Sequence, residues 1–336
     1  MEDSDPFKTF YFGKGKKMLE NTVVYALSAN KVLAKEIADK LKVPLKQAKV
    51  THFADGEILC EPIETIREKN VYVIQSTCCP VTENLFEILV FVDALKRASA
   101  REINVVMPYF GYARQDRKSK PRQPITSRLV ADLLKTAGVH RVITIDLHAP
   151  QIQGFFSCLV DELTAIPLIT DYYWKYKNNP DMVIVSPDHG GVNRARKIAE
   201  KLNLPIAIID KRRTGPNVAE VMNIIGNVEG KDCIMIDDMI DTAGSCSAGA
   251  KVLKEQGARS VRIACTHGIF SSPAEERVLN GLFEEIVFTN TIPLQKKMEH
   301  PIVKVLSVGP MLAKVIENIE TGEAVSNVYN LYNHID

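Results

Sequence analysis

Ile37-Ala38-Asp39-Lys40-Leu41-Lys42-Val43-Pro44 returns later in the chain as Ile198-Ala199-Glu200-Lys201-Leu202-Asn203-Leu204-Pro205. In both places apolar residues at helical spacing run into a proline, which cannot continue the helix. A second echo follows in the same order and at nearly the same offset. Leu95-Lys96, Ala100-Arg101 and Ile103 match Leu253-Lys254, Ala258-Arg259 and Val261. One such match is what two unrelated amphipathic helices would give by chance, but two in order point to a duplicated unit. Short apolar runs surround the echoes, at Val71–Ile74, Ile103–Met107, Val142–Ile145, Met182–Val185, Ile206–Ile209, Cys233–Ile236 and Val261–Cys265. Near-continuous apolar character predicts strands of a parallel sheet buried on both faces. Amphipathic segments alternate with them, among them Thr82–Ala98 and Thr126–Ala137, the latter with Thr126 placed as its cap and Gly138 as its stop. The expected fold class is α/β, with two tandem domains built on central parallel sheets. The pattern loosens after Pro150, and the expected domains are residues 1–160 and 161–336.

Composition sets bounds on function. The 336 residues are 46% hydrophobic and 25% charged, ordinary for a globular protein with a large core. Forty-two basic residues balance 41 acidic ones, a net charge of +1. That argues against nucleic acid held by a whole-protein field, so any anion must be met by a local cluster. The seven cysteines include no CxxC, which suits a reduced, cytoplasmic protein. The adjacent Cys78-Cys79 reads as two ordinary thiols before Pro80, since no second ligand pair is spaced to help. No run approaches the ~20 apolar residues of a membrane span, and no secretory leader is evident at the acidic start.

Cys233-Ile234-Met235-Ile236-Asp237-Asp238-Met239-Ile240-Asp241-Thr242-Ala243-Gly244-Ser245 carries the chemistry. An apolar strand ends in two acids, a turn of small residues follows, and a helical run from Ser247 to Gln256 comes next. Backbone N–H groups of Thr242 to Ser245 at a helix start would face phosphate oxygens. Asp237 and Asp238 cannot bind phosphate, but suit sugar hydroxyls or metal-bound water. Small-residue loops also occur as plain caps; the acid pair just ahead of this one makes a phosphorylated sugar the better reading. No Gly-Lys-Ser/Thr follows, so this is not a Walker loop.

This segment resembles the phosphoribosyl-pyrophosphate loop of type I phosphoribosyltransferase folds. The wider chain resembles the ribose-phosphate pyrophosphokinase family. The similarity rests on Phe53-Ala54-Asp55-Gly56-Glu57, Tyr112 to Lys118, Asp146 to Phe156, Ser186 to Gly191 and Asp210-Lys211-Arg212-Arg213, all in family order. The resemblance implies two phosphoribosyltransferase-type domains. It also implies transfer of the diphosphoryl group of Mg-ATP to ribose 5-phosphate, with Mg2+ as cofactor. Asp237, Asp238, Asp241, Thr242, Ala243, Gly244 and Ser245 would bind ribose 5-phosphate, and Phe53, Asp55, Gly56, Glu57, Arg114, Gln115 and His148 would bind ATP. His148 and Asp188 would serve the metal, and Lys211 and Arg213 would be catalytic. Thr214-Gly215 departs from relatives richer in Pro and Arg there. The family also implies a homohexamer in which the Phe53–Glu57 loop serves a neighbouring subunit. Phosphate and ADP are implied as effectors, with Ser307 as a regulatory contact.

Read without the resemblance, several of these residues have plainer roles. Asp210–Arg213 is a solvated basic turn, Phe53–Glu57 a turn around Gly56, and Asp188 a cap for the helical run Val192–Leu202. Arg114, Arg117, Lys118, Lys120, Arg122 and Arg128 follow Tyr109, Phe110 and Tyr112. Such interleaving could serve single-stranded nucleic acid, but the near-zero net charge favours a compact polyphosphate site. Two rival functions stand beside the synthetase reading. One is an ordinary phosphoribosyltransferase that consumes phosphoribosyl pyrophosphate. The other is a non-catalytic regulatory relative, against which stand Lys211, Arg213, His148 and Asp188, all in place.

Overall fold

The computed structural model describes residues 19–212 and 221–332. Its first half runs β1 (Thr22–Ala26), α1 (Lys31–Leu41), β2 (Leu45–His52), β3 (Ile58–Pro62), β4 (Asn70–Ile74), α2 (Val81–Arg97), β5 (Glu102–Met107), α3 (Thr126–Ala137), β6 (Arg141–Ile145), β7 (Leu159–Leu163) and α4 (Ile166–Tyr173). Its second half repeats that series as β8 (Met182–Ser186), α5 (Val192–Leu202), β9 (Ile206–Arg212), β10 (Val221–Ile225), β11 (Asp232–Ile240), α6 (Gly244–Glu255), β12 (Ser260–Gly268), α7 (Ala274–Val278), β13 (Glu285–Thr289), β14 (Val303–Leu306) and α8 (Gly309–Thr321). The sheet orders, β3-β2-β1-β4-β5-β6-β7 and β10-β9-β8-β11-β12-β13-β14, correspond strand for strand. Each sheet is parallel except for one antiparallel edge hairpin, β2–β3 or β9–β10. The two sequence echoes fall on equivalent elements, the first on the α1–β2 and α5–β9 junctions and the second on α2–β5 and α6–β12. The expected α/β duplication is therefore the observed fold.

All seven expected strands are present, and α3 and α5 match the expected spans. Gly138 ends α3 at φ 121, a conformation costly for other residues. Thr126 differs: it is the first helical residue, and its hydroxyl donates to Oε1 of Gln115 at 2.5 Å instead of capping.

Each half lends its last helix to the other. α4 packs on α5, and α8 packs on α1. Hydrogen bonds follow the same exchange. Tyr172 of α4 donates to Glu285 of β13 at 2.6 Å, while Glu320 of α8 accepts from Tyr72 and Asn70 of β4 at 2.8 and 2.9 Å. A single core results, joining Leu33 and Ile37 of α1, Ile198 of α5 and Met311, Leu312 and Ile316 of α8. Each fully buried side chain of this kind contributes about 1.5–3 kcal/mol, so the halves are fastened through their inner faces. β7 pairs with β6 through Leu163, which carries the first sheet past residue 160. Separate cores lie under α2 and α3 on one outer face and under α6 and α7 on the other. No helix among the described residues is long and apolar enough to cross a membrane.

Candidate active site

β11 runs on through the acid pair to Ile240 and so carries both carboxylates on paired backbone. Successive strand residues face opposite ways, so the two acids meet different surroundings. Asp238 is buried and accepts from Nδ1 of His148 at 2.7 Å, with the Arg194 guanidinium 3.9 Å away. Burial alone would raise its pKa, but the His148 hydrogen bond and the charge of Arg194 hold it below the usual carboxylate range. Asp237 is pushed well above that range by burial first and by the charge of Asp238 second. The two carboxylates titrate as a pair, with protonation favoured on Asp237 over Asp238.

Asp241 through Ala243 form the turn after the strand, and α6 already begins at Gly244. Gly244 and Ser245 therefore belong to the helix's first turn, not to the loop before it. Ala243 holds φ 59, a strained setting for a residue with a Cβ, and no side chain caps the helix. First-turn N–H groups without a side-chain cap, at the positive end of the helix dipole, suit an anion. Nη1 of Arg277 on α7 braces the turn by donating to the Thr242 carbonyl at 2.8 Å.

The first half contributes from across the interface. Arg114 donates to Oδ2 of Asp241 at 2.6 Å, and His148 meets Asp238 as described. Partial burial would raise the Asp241 pKa; hydrogen bonds from Ser271 and Arg114 hold it down. The Asp238 hydrogen bond raises the His148 pKa against the effect of burial. The expected nucleotide residues Arg114 and His148 thus sit directly on the expected sugar residues Asp241 and Asp238. Gln115 lies beside Arg114, where its Oε1 accepts from Thr126.

A second histidine, unremarked in the sequence, sets this junction. His267 on β12 is fully buried and reaches back to the first half. Its Nε2 lies 3.1 and 3.2 Å from the carbonyls of Ile145 and Asp146, and its Nδ1 is 2.9 Å from the Thr291 hydroxyl. Two carbonyls can only accept, so Nε2 carries a proton. Burial lowers its pKa. Thr266 donates to Asp146 at 2.6 Å, and Asp146 itself adopts φ 43. Together these residues fix the bend that delivers His148. Thr266-His267 at the end of the apolar strand β12 was the available signal.

Other expected site residues lie apart or have local roles. Asp188 accepts from the Gly191 N–H at 2.9 Å just before α5, and the neighbouring His189 meets Asp210 at 2.8 Å. Lys211 and Arg212, expected on a loop, lie on β9, which extends to Arg212 and pairs Lys211 with Met222. Arg213 lies outside the described residues, as do Thr214 and Gly215. Phe53–Glu57 forms the tip of the β2–β3 hairpin, where Gly56 at φ 94 donates to the Phe53 carbonyl. Phe53 is exposed, and β2 stands four strands from β6, about 19 Å at ordinary strand spacing. Ser307 donates to Glu36 of α1 at 2.5 Å and accepts from the Gly309 N–H at 3.1 Å. The Glu36 carboxylate therefore already fills that helix start.

Paired duplicate sheets, with an uncapped phosphate-type turn at their junction, define a two-domain protein of the phosphoribosyltransferase type. Known proteins agree. A family model described as the N-terminal domain of ribose phosphate pyrophosphokinase matches residues 22–138, and one described as the phosphoribosyl synthetase-associated domain matches residues 213–330. The ribose-phosphate pyrophosphokinase of Bacillus subtilis (strain 168) is 53% identical over 93% of this chain and 98% of its own. That of Listeria ivanovii is 52% identical over 91% and 96%. The crystal structure of phosphoribosylpyrophosphate synthetase from Mycobacterium smegmatis superposes with a TM-score of 0.85 at 41% identity, covering 90% of this chain and 100% of that one. The chain belongs to the ribose-phosphate pyrophosphokinase family.

Proposed function

We propose that the chain transfers the diphosphoryl group of ATP to the anomeric hydroxyl of ribose 5-phosphate, giving phosphoribosyl pyrophosphate and AMP. The observation that carries this reading is the double contact across the interface, Arg114 with Asp241 and His148 with Asp238. It sets polyphosphate-binding cations against a sugar-phosphate turn. The sugar oxygen attacks the β-phosphorus, the bond to the α-phosphate bridging oxygen breaks, AMP leaves, and the hydroxyl proton is released. Such a transfer needs alignment and charge neutralisation more than covalent help. In this reading the first turn of α6 holds the 5-phosphate, and Asp237 and Asp238 accept from ribose hydroxyls. Arg114 and Gln115 hold the nucleotide, while Lys211 and Arg213 neutralise charge developing on the transferred group.

The donors near the junction are mostly carboxylates, which suits Mg2+, and Mg2+ shared with a triphosphate needs only one or two protein ligands. Asp188 is the direct candidate. His148 has committed Nδ1 to Asp238, so it would meet a phosphate or a metal-bound water through Nε2. When bound, the ion would neutralise triphosphate charge. The exposed Phe53–Glu57 tip, distant from its own chain's junction, supports a homo-oligomer, a hexamer by resemblance, in which Phe53, Asp55 and Glu57 reach a neighbour's nucleotide. Phosphate and ADP remain the effectors that family membership suggests, but Glu36 would have to leave Ser307 for either to bind there. The cytoplasm suits a chain whose seven cysteines are all free thiols.

The test is AMP release from ATP and ribose 5-phosphate with no nucleobase present. AMP formed only when a nucleobase is added would overturn the reading in favour of a phosphoribosyltransferase. No turnover under any condition would favour a non-catalytic relative. Lys211→Ala should lower kcat by about 100-fold or more while leaving ribose 5-phosphate affinity nearly intact. Equal losses in both would remove Lys211 from the transition state.

A further inference from the structure

The base of the β2–β3 hairpin and the start of α2 gather three side chains that the transfer reaction does not use. His52 ends β2, and Glu83 and Glu87 lie four residues apart on α2, on one helix face. Nε2 of His52 is 3.0 Å from Oε1 of Glu83 and 3.9 Å from Oε1 of Glu87, and the three ligand atoms all lie within 4.8 Å of one another. Glu87 is fully buried. Its Oε2 accepts from the Ser28 N–H at 3.1 Å and the Gln75 amide at 2.9 Å. Its Oε1, shut off from solvent and aimed at His52, has no hydrogen-bond partner among the described residues. A buried carboxylate oxygen without a donor is costly and is retained where something else meets it.

We infer that His52, Glu83 and Glu87 form a binding site for a divalent d-block cation of the Zn2+ type. One imidazole and two carboxylates are a ligand set that Mg2+ and Ca2+, which favour all-oxygen shells, do not select. Ligand atoms on a tetrahedral Zn2+ stand about 3.3 Å apart, and the separations of 3.0 and 3.9 Å bracket that spacing. Glu87 forms the buried floor, while His52 and Glu83, both half exposed, form a rim with an entry path and room for water as fourth ligand. Phe53 follows His52 directly, so the ion would clamp the root of the Phe53–Glu57 tip to α2.

The test uses the full chain, stripped with chelator and held in excess Mg2+, and titrated with Co2+ by calorimetry and visible absorption. His52→Ala and Glu83→Gln change only the rim, so the buried Glu87 network stays whole. The wild type should bind one more Co2+ per chain than either variant, without the sulfur-to-metal bands that the exposed Cys79 thiol would produce. Zn2+ should raise the Tm of the wild type and leave both variants unmoved. Equal Co2+ uptake by all three proteins would overturn the site. So would a Tm difference between wild type and His52→Ala that is the same with and without Zn2+, since the imidazole would then be only an ion-pair partner.

Discussion

Removing the Arg114 guanidinium should loosen the Asp241–Ala243 turn, the proposed sugar-phosphate site, from across the domain junction. The bond to Asp241 is short, 2.6 Å, but Arg114 is 51% exposed and Asp241 22%. A shielded charge-assisted hydrogen bond contributes about 1.5–3 kcal/mol, and an exposed ion pair about 0.2–1 kcal/mol. This pair falls between, at about 1 kcal/mol, which is roughly a fivefold change in an equilibrium constant. Arg114→Ala should therefore weaken ribose 5-phosphate binding, measured by calorimetry without ATP, by about fivefold. Omitting ATP matters, because Arg114 is also assigned to the nucleotide and would otherwise act twice. A double-mutant cycle of Arg114→Ala with Asp241→Asn, followed by urea unfolding, should show a coupling of about 1 kcal/mol. Unchanged or improved sugar-phosphate affinity, or additivity within about 0.3 kcal/mol, would refute the idea that the donor side braces the acceptor turn.

The acid pair should respond unequally. Asp237→Asn replaces the acid of the pair that more readily holds a proton and should cost less than about 1 kcal/mol, whereas Asp238→Asn takes the counter-charge from His148 and Arg194 and should cost about 1–3 kcal/mol in chemical unfolding. Equal costs would count against the proton assignment. His267 is held neutral by burial, its pKa below the ordinary value. The unfolded chain then takes up the proton first, so its stabilisation is present above about pH 6.5 and fades as pH falls further. The stability gap between wild type and His267→Gln should shrink from pH 7 to 5.5, and a constant gap would argue against a neutral ring. His148 runs the other way: its raised pKa gives stabilisation that is complete below about pH 6.5 and fades as pH climbs through the folded value. At Gly309 an added Cβ would meet the Glu36 carboxylate carbon at 2.3 Å. Gly309→Ala should push the flexible Glu36 carboxylate off Ser307 and cost about 1 kcal/mol, the net worth of that hydrogen bond, and an unchanged unfolding midpoint would show that the carboxylate yields freely.

How far the sequence alone reached depended on whether a signal is local. Most strands buried on both faces, such as Met182–Ser186, read as apolar runs and were found, although the buried β1 and β13 were not. Half-exposed strands at or next to a sheet edge, such as β14 and β2, have mixed faces and were not. The acid pair on β11, the small-residue turn and the duplication were all legible, because each is a short pattern with a fixed period or order. Asp238 and His148 are 90 residues apart, and Arg114 and Asp241 are 127 apart. No local pattern states such a pairing, since it exists only when α4 and α8 exchange halves and press the two sheets together. The same holds for His267, which reads as an ordinary strand-end residue until the Ile145 and Asp146 carbonyls arrive from the other half. His52 with Glu83 and Glu87 is similar, because two acids on one helix face look like a solvated surface until the hairpin folds over them. Sequence alone determined the α/β class, the duplication and most of the buried strands, and it marked a turn of the phosphate-binding type, because backbone preference and burial periodicity are local. Only the tertiary structure decided which charges face one another, because that depends on how two separately legible halves dock.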